Sequence, residues 1–136
     1  MASHGGTMMR PLAVMMKRNP QSISPEATLA EAAAMMRDTR VGAILVADRG
    51  AFIGIVSETD LVRKAMAGHM NVAQATVRSV MSSPVITIDQ DRSAHDASDL
   101  MAEKGIRHLA VTEDGRIVGI VTVRDLLRYF KNWGSH

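Results

Sequence analysis

The chain has 136 residues, no cysteine and a formal net charge of +2, from 16 basic and 14 acidic residues. Without cysteine it cannot form a disulfide scaffold, a thiolate metal site or a cysteine nucleophile. The small charge excess is weak support for a nucleic-acid partner, and no apolar run approaches the roughly 20 residues of a membrane span. We expect a cytoplasmic protein made of one compact unit or of two small halves.

The first predicted segment, residues 1–11, is rich in Gly, Ser and His and contains no apolar stretch of a signal peptide. We interpret it as a disordered terminus or a tag remnant, and residues 131–136 as a C-terminal tail. Neither segment enters the prediction of the fold.

The first ordered region, residues 12–67, opens with the short extended segment QSIS and continues into a helix. Thr28 and Glu31 have the spacing of a capping box, which predicts that the helix begins there. Four apolar residues at helical spacing predict the face that packs on the core: Leu29, Ala32, Ala33 and Met36.

Two strands are predicted next, at 41–47 and 52–56, joined by a turn with the sequence DRG. A second helix should begin at Ser57, and Gly68 is a predicted helix stop. Residues 68–76 are then a linker to the second ordered region.

The second region, residues 77–130, repeats this order at a constant offset of 65 residues. It has an extended VITI segment, a helix capped by Ser93 and Asp96, two strands joined by an Asp-Gly turn, and a final helix from Thr122. When 16–63 is laid over 81–128, twelve of 48 positions are identical, against roughly three expected from average composition. The chain is therefore a tandem β-α-β-β-α repeat.

Each repeat ends with a hydroxyl residue three positions before an aspartate, in GIVSETDL and GIVTVRDL. One interpretation of Ser57 with Asp60, and of Thr122 with Asp125, is a capping box at the start of a helix. The other is a ribose site, since a carboxylate can accept hydrogen bonds from both hydroxyls of a cis-diol while nearby amides meet a phosphate. The two interpretations are compatible, because the hydroxyl can cap while the carboxylate binds.

The doubled motif, with the segments TVRSVMSSPVITI and KGIRHLAVTEDGRIVGIV, resembles a pair of cystathionine-β-synthase-type (CBS) domains over roughly residues 12–130. The resemblance implies an α/β (α+β) fold of two small sheets packed with helices and related by a pseudo-twofold axis. It also implies a Bateman module, a regulatory sensor without catalytic activity. Such modules bind an adenosine-containing ligand: AMP, ADP, ATP, NAD or S-adenosylmethionine.

The resemblance also implies which residues form two clefts. The first cleft would use Asp125 and Thr122 for the ribose and Arg107, His108 and Arg124 for phosphate. Its adenine pocket would be formed by Pro20, Gln21, Val41 and Gly42. The second cleft would use Asp60, Ser57, Pro84, Val85, Ile106 and Arg107.

The first cleft is expected to suit a phosphorylated ligand better. Repeat one has Gly42 and Ala43 at the positions of Arg107 and His108, and neither carries charge. Three simpler roles remain open: a solvated surface charge for Arg107, a satisfied strand histidine for His108, and helix packing for Gly42.

The resemblance further implies a homodimer that regulates another, unidentified protein. The alternatives are a structural dimerisation module with empty clefts, a nucleic-acid-binding protein and a nucleotide-processing enzyme. The chain has only four aromatic residues, which argues against a nucleic-acid-binding protein. The sequence shows no metal-carboxylate cluster and no positioned base, which argues against an enzyme. No catalytic or metal-ligating residue is predicted.

Overall fold

The computed structural model describes residues 11–134, so the predicted terminal segments lie outside the described residues except for Pro11 and 131–134. The chain divides into two compact units. We call residues 21–85 the continuous unit, and residues 11–20 together with 86–134 the split unit. Each unit contains a small sheet and helices, which confirms the predicted fold class and the internal repeat.

The elements follow one another in the same order in both repeats. In chain order they are α1 (Pro11–Met15), β1 (Lys17–Arg18), β2 (Ser22–Ile23), α2 (Leu29–Thr39), β3 (Ala43–Asp48), β4 (Ala51–Ser57), α3 (Glu58–Asp60), β5 (Thr87–Asp89), α4 (Ala94–Lys104), β6 (His108–Glu113), β7 (Arg116–Thr122) and α5 (Val123–Tyr129). Helix α3 continues as a π-helix, Leu61–Met66, and α5 continues as a π-helix, Phe130–Gly134. A short 3₁₀ helix, Val77–Ser79, precedes the second repeat.

The two sheets share one pattern. In the continuous unit β2 runs parallel to β3, which is antiparallel to β4. In the split unit β5 runs parallel to β6, β6 is antiparallel to β7, and β1 adds to the far edge of β7. A register shift lies at the same place in both hairpins, after Val46 and after Val111.

Both predicted capping boxes are confirmed. Thr28 Oγ1 accepts from the Glu31 amide at 3.1 Å, and Glu31 Oε1 accepts from the Thr28 amide at 2.8 Å. Ser93 and Asp96 make the equivalent pair at the start of α4. The Thr28 amide lowers the pKa of Glu31, and a hydrogen bond from Arg92 is the largest cause that lowers the pKa of Asp96. Both carboxylates therefore stabilise the fold at neutral pH, and this contribution is lost as the pH falls through their lowered pKa values.

The predicted apolar face of α2 is correct at three of its four residues. Leu29, Ala32 and Met36 are buried, whereas Ala33 is exposed. Ala33 lies about 40° around the helix from Leu29, on the side away from Ala32, so it falls at the solvent edge of the stripe.

Both hairpin turns were predicted correctly from their Gly residues. The central residues Arg49 and Gly50 have φ of 52° and 81°, and Asp114 and Gly115 have φ of 51° and 79°. Two consecutive positive φ angles are typical of the type I′ turn, whose twist matches that of the flanking strands.

The segment predicted as a linker, 68–76, is bonded to the start of α2. The amides of Leu29 and Ala30, which have no partner inside the helix, donate to the carbonyls of Ala75 and Val72, each at 2.9 Å. The linker therefore serves as backbone support for the first helix of its unit.

The segment that leads into each repeat pairs with the other repeat's hairpin. We call residues 16–20 and 81–85 the leading segments. Lys17 pairs with Ile120 on β7, and at the same offset of 65 residues Ser82 forms an isolated bridge with Ile55 on β4. The split unit contains the leading segment 16–20 of repeat one and most of repeat two. The continuous unit contains most of repeat one and the leading segment 81–85 of repeat two.

Each unit has its own cluster of buried side chains. In the split unit Leu12, Leu109, Val111 and Val121 are fully buried, among others, and in the continuous unit Ile44, Val46 and Val56 occupy the corresponding strands. Within residues 11–134 no helix has the length and apolar character that crossing a membrane would require.

Candidate functional site

The first candidate position lies in the split unit, where β7 passes into α5. Thr122, the last residue of β7, has extended backbone angles and is the N-cap of α5. Its Oγ1 accepts from the Asp125 amide at 3.1 Å, and Asp125 Oδ2 accepts from the Thr122 amide at 2.9 Å. The capping interpretation is therefore confirmed here, and it uses only one oxygen of the carboxylate.

The second candidate position lies in the continuous unit, at the equivalent junction of β4 and α3, where Ser57 and Asp60 form the same capping box. Two further contacts distinguish it. The Ser57 hydroxyl also donates to Asp60 Oδ2 at 3.1 Å, and Lys64 Nζ lies 2.9 Å from Asp60 Oδ1. Asp60 is buried, and Lys64 also donates to the carbonyl of Val80 at 2.9 Å.

The two aspartates therefore differ in how much of the carboxylate remains open. An ionised carboxylate offers about four acceptor positions. Asp60 uses three of them, for the Ser57 amide, the Ser57 hydroxyl and Lys64. Within residues 11–134 Asp125 uses one, and no Lys or Arg of that range lies within ion-pair distance of it. A cis-diol needs two acceptor positions, so Asp125 can accept both of its donors.

Residues 42 and 107 support the two helix starts with their backbone. The Glu58 amide donates to the Gly42 carbonyl at 2.9 Å, and the Val123 amide donates to the Arg107 carbonyl at 3.0 Å. These bonds fix the first turn of each helix beside the strand that enters it. They also place residue 107 next to the Thr122–Asp125 box.

The basic residues predicted for phosphate belong to the split unit. His108 is the register partner of Thr122 across β6 and β7. The side chains of Arg107 and Arg124 are exposed, and neither guanidinium forms an ion pair with a carboxylate of residues 11–134. The helix start with the open carboxylate thus has two nearby arginines, Arg107 and Arg124, that form no ion pair within the described residues.

The predicted lining residues divide between the units. Those grouped with Asp125 in the split unit are Pro20, Ile106, Arg107, His108, Thr122 and Arg124. Those grouped with Asp60 in the continuous unit are Gln21, Val41, Gly42, Ser57, Pro84 and Val85. Each leading segment therefore brings its proline, Pro20 or Pro84, into the unit of the aspartate for which it was predicted.

Sequence reasoning missed two features. One is Lys64, whose pairing with Asp60 could have been suspected from the spacing of four residues on a helix. The other is an apolar groove of about 340 Å³ in the split unit, lined by α4, α5 and the turn between α4 and β6. Ile106 and Arg107 line it together with Leu127, which is 64% exposed. Among the described residues no three acidic or histidine side chains gather as metal ligands.

The chain is similar to two curated proteins along most of its length. It is 38% identical over 107 residues to an uncharacterized protein of Methanopyrus kandleri, covering 77% of this chain and 55% of that protein. It is 35% identical over 105 residues to the CBS domain-containing protein YhcV of Bacillus subtilis, covering 77% of this chain and 74% of the relative. The chain thus spans only about half the length of the first relative.

The fold has solved counterparts as well. A CBS-domain-containing protein from Agrobacterium tumefaciens superposes with a TM-score of 0.80 at 26% identity, covering 86% of this chain and 88% of the other. The family model of the CBS domain matches residues 12–67 and again 77–132. The chain therefore belongs to the CBS-domain family, with two copies of the domain in tandem.

Proposed function

We propose that this pair of CBS domains is a regulatory sensor that binds an adenosine-containing nucleotide, with Asp125 as the ribose ligand. CBS-domain proteins of this kind are often regulatory and generally non-catalytic modules. The observation that carries the proposal is the open carboxylate of Asp125 at the start of α5, where a single acceptor position is used. The candidate ligands are AMP, ADP, ATP, NAD and S-adenosylmethionine.

The charges around this carboxylate favour a phosphorylated ligand. Arg107 and Arg124 offer guanidinium groups without a carboxylate partner among the described residues, and guanidinium groups suit phosphate oxygens. The positive end of the helix dipole at this helix start also favours an anion. Repeat one lacks both cations, because Gly42 and Thr59 stand in their places.

A thermal-shift panel of the five candidate ligands, with adenosine and GMP as comparisons, tests the proposal. A ligand present at 100 times its dissociation constant should stabilise the folded protein by about 2.7 kcal/mol. No shift with any adenosine-containing ligand at millimolar concentration would refute nucleotide sensing by this chain.

Arg107→Ala should separate the phosphate contribution from the adenosine contribution. A hydrogen bond to a charged group contributes about 1.5–3 kcal/mol, so the affinity for AMP should fall by roughly tenfold or more. Adenosine, which has no phosphate, should bind the variant almost as well as the original protein. Titration calorimetry with both ligands measures the difference.

The matched control is Arg116→Ala, since this arginine is exposed at the hairpin end of β7, opposite the Thr122 end. It should alter neither affinity. An equal loss of AMP and adenosine affinity in Arg107→Ala would remove Arg107 from the phosphate role, and no loss of either would make it a solvated surface charge.

A second candidate function is dimerisation through the second helix of each repeat. Val62 and Leu127 occupy equivalent positions and are 55% and 64% exposed, and Met66 nearby is 68% exposed. Large apolar side chains exposed at equivalent sites are typical of an interface. Light scattering at micromolar concentration should give the mass of a dimer, and Leu127→Glu should shift it toward the monomer.

The control for this substitution is Val72→Glu in the linker, where the valine is also exposed. It should leave the dimer intact. A monomeric mass for the unmutated protein throughout the micromolar range would contradict the dimer.

A further inference from the structure

The continuous unit supplies an internal cation to its own aspartate. Lys64 Nζ lies 2.9 Å from Asp60 Oδ1, and the same ammonium donates to the Val80 carbonyl at 2.9 Å. The Asp60 side chain is only 10% exposed, whereas that of Lys64 is 47% exposed. The lysine thus reaches inward from the helix surface, and its charged end is held by two acceptors at once.

The second repeat has no counterpart of this contact. The position equivalent to Lys64 is Tyr129, whose ring packs edge-on against Phe130 with the ring centres 5.5 Å apart. A phenol in this place carries no positive charge at neutral pH. Of the two acceptor positions that Asp60 uses and Asp125 leaves open, one is filled by the Ser57 hydroxyl and the other by Lys64, which the second repeat replaces with Tyr129.

We propose that Lys64 determines which aspartate of the chain binds the ligand, by occupying one of the two acceptor positions that a ribose diol would need at Asp60. This inference rests on the proposed function. With three of about four positions filled, Asp60 has one left for the two donors of a cis-diol. A diol that displaced Lys64 would also separate a partly buried ion pair, which is unfavourable. The chain therefore binds one nucleotide, at Asp125.

Ligand stoichiometry tests this assignment, with AMP as the probe in titration calorimetry. The unmutated protein should bind one AMP per chain, and Asp125→Asn should weaken this binding by roughly tenfold to more than a hundredfold. Lys64→Tyr, which gives repeat one the residue of repeat two, should bind two AMP per chain. The additional site should disappear in the double variant Lys64→Tyr/Asp60→Asn.

Two controls accompany the stoichiometry. Lys64→Arg keeps a cation beside Asp60 and should still bind one AMP per chain. Arg63→Ala removes the neighbouring exposed cation of the same helix and should do the same. Lys64→Met serves as a second neutral variant in case the tyrosine does not fit, and it should also bind two.

A measurement without ligand checks the ion pair itself. Lys64→Met should lower the melting temperature in the original background, where it leaves Asp60 without its cation, and have a smaller effect in the Asp60→Asn background. Equal effects in both backgrounds would show that the pair is not formed in solution and would overturn the inference.

The failures of the inference and of the proposed function differ. Two AMP per chain in the unmutated protein, or one AMP per chain in both folded neutral variants of Lys64, would overturn the role of Lys64 while leaving nucleotide binding intact. Binding only in the Lys64 variants, and only through Asp60, would support the inference and refute Asp125 as the ligand. No binding by any variant would overturn both.

Discussion

Asp125→Asn should lower the affinity for AMP by roughly tenfold to more than a hundredfold. The amide of asparagine has the size of the carboxylate but replaces one of its two acceptor oxygens with a donor. The remaining oxygen can still accept from the Thr122 amide, now 2.9 Å from Asp125 Oδ2, so the start of α5 can persist. What is lost is the oxygen left for the diol, and a hydrogen bond to a charged group contributes about 1.5–3 kcal/mol.

The ratio between AMP and 2′-deoxy-AMP affinities distinguishes ribose binding from capping. If Asp125 holds the diol, the deoxynucleotide should already bind weakly to the unmutated protein and lose little in the variant. If the aspartate only caps α5, the substitution should cost about 1 kcal/mol of stability and leave the ratio unchanged. Calorimetry with both nucleotides and melting temperatures for both proteins provide the comparison.

The matched control is Asp96→Asn, which changes the same kind of capping carboxylate at the start of α4. The melting temperature of this variant should fall, because the Asp96 carboxylate accepts hydrogen bonds from Arg92 and from the Ser93 amide. The affinity ratio should stay as it was. A change of the ratio in this control would mean that capping alone controls nucleotide affinity.

Gly119→Ala should destabilise the folded protein by about 1–3 kcal/mol, as overpacking of a core does. A Cβ atom at this position would lie 2.6 Å from Met16 Sδ and 2.8 Å from the Lys17 carbonyl oxygen. The methionine can rotate away, but the carbonyl belongs to β1, which pairs with β7 at this place. The leading segment would have to move off the sheet, and this outweighs the gain from replacing a flexible glycine.

Urea unfolding measures this loss, and the equivalent substitution Gly54→Ala should show it too, because its Cβ would lie 2.7 Å from the Ser82 carbonyl oxygen. Arg116→Ala, at an exposed position of β7, is the control and should change stability by less than about 0.5 kcal/mol. If Gly119→Ala also changed the free energy of unfolding by less than about 0.5 kcal/mol, the leading segment would not approach β7 this closely.

Local signals were sufficient for much of this fold. A hydroxyl three residues before an acid predicts each helix start, and Gly50 and Gly115 predict the turns. These structures can be predicted locally because all of their contacts lie within a few residues in sequence. The leading segments have no such signal. Lys17 lies about one hundred residues from its partner Ile120 in sequence, and two strand residues are too few to show a period. Gly54 and Gly119 are the positions where a leading segment approaches the sheet closely. Their identity in the two repeats does not by itself show why glycine is needed there.

The candidate site was predictable in position and less so in chemistry. The repeat places Asp60 and Asp125 at equivalent helix starts, and the sequence distinguishes them only by the basic residues near Asp125. It does not show that Lys64 pairs with Asp60, because a lysine on a helix is ordinarily a solvated charge. The hydrogen bond from the Lys64 ammonium to the Val80 carbonyl, a contact 16 residues apart in sequence, shows that the lysine turns inward.

The exchange of leading segments bears on what a single copy of this domain could do alone. A chain with one repeat would leave the hairpin edge that receives a leading segment unpaired, and an open sheet edge invites pairing with another molecule. It could complete its sheet by exchanging segments with a second chain, and its stability would then depend on protein concentration. Two repeats in one polypeptide make the same exchange intramolecular, so the completed sheets survive dilution.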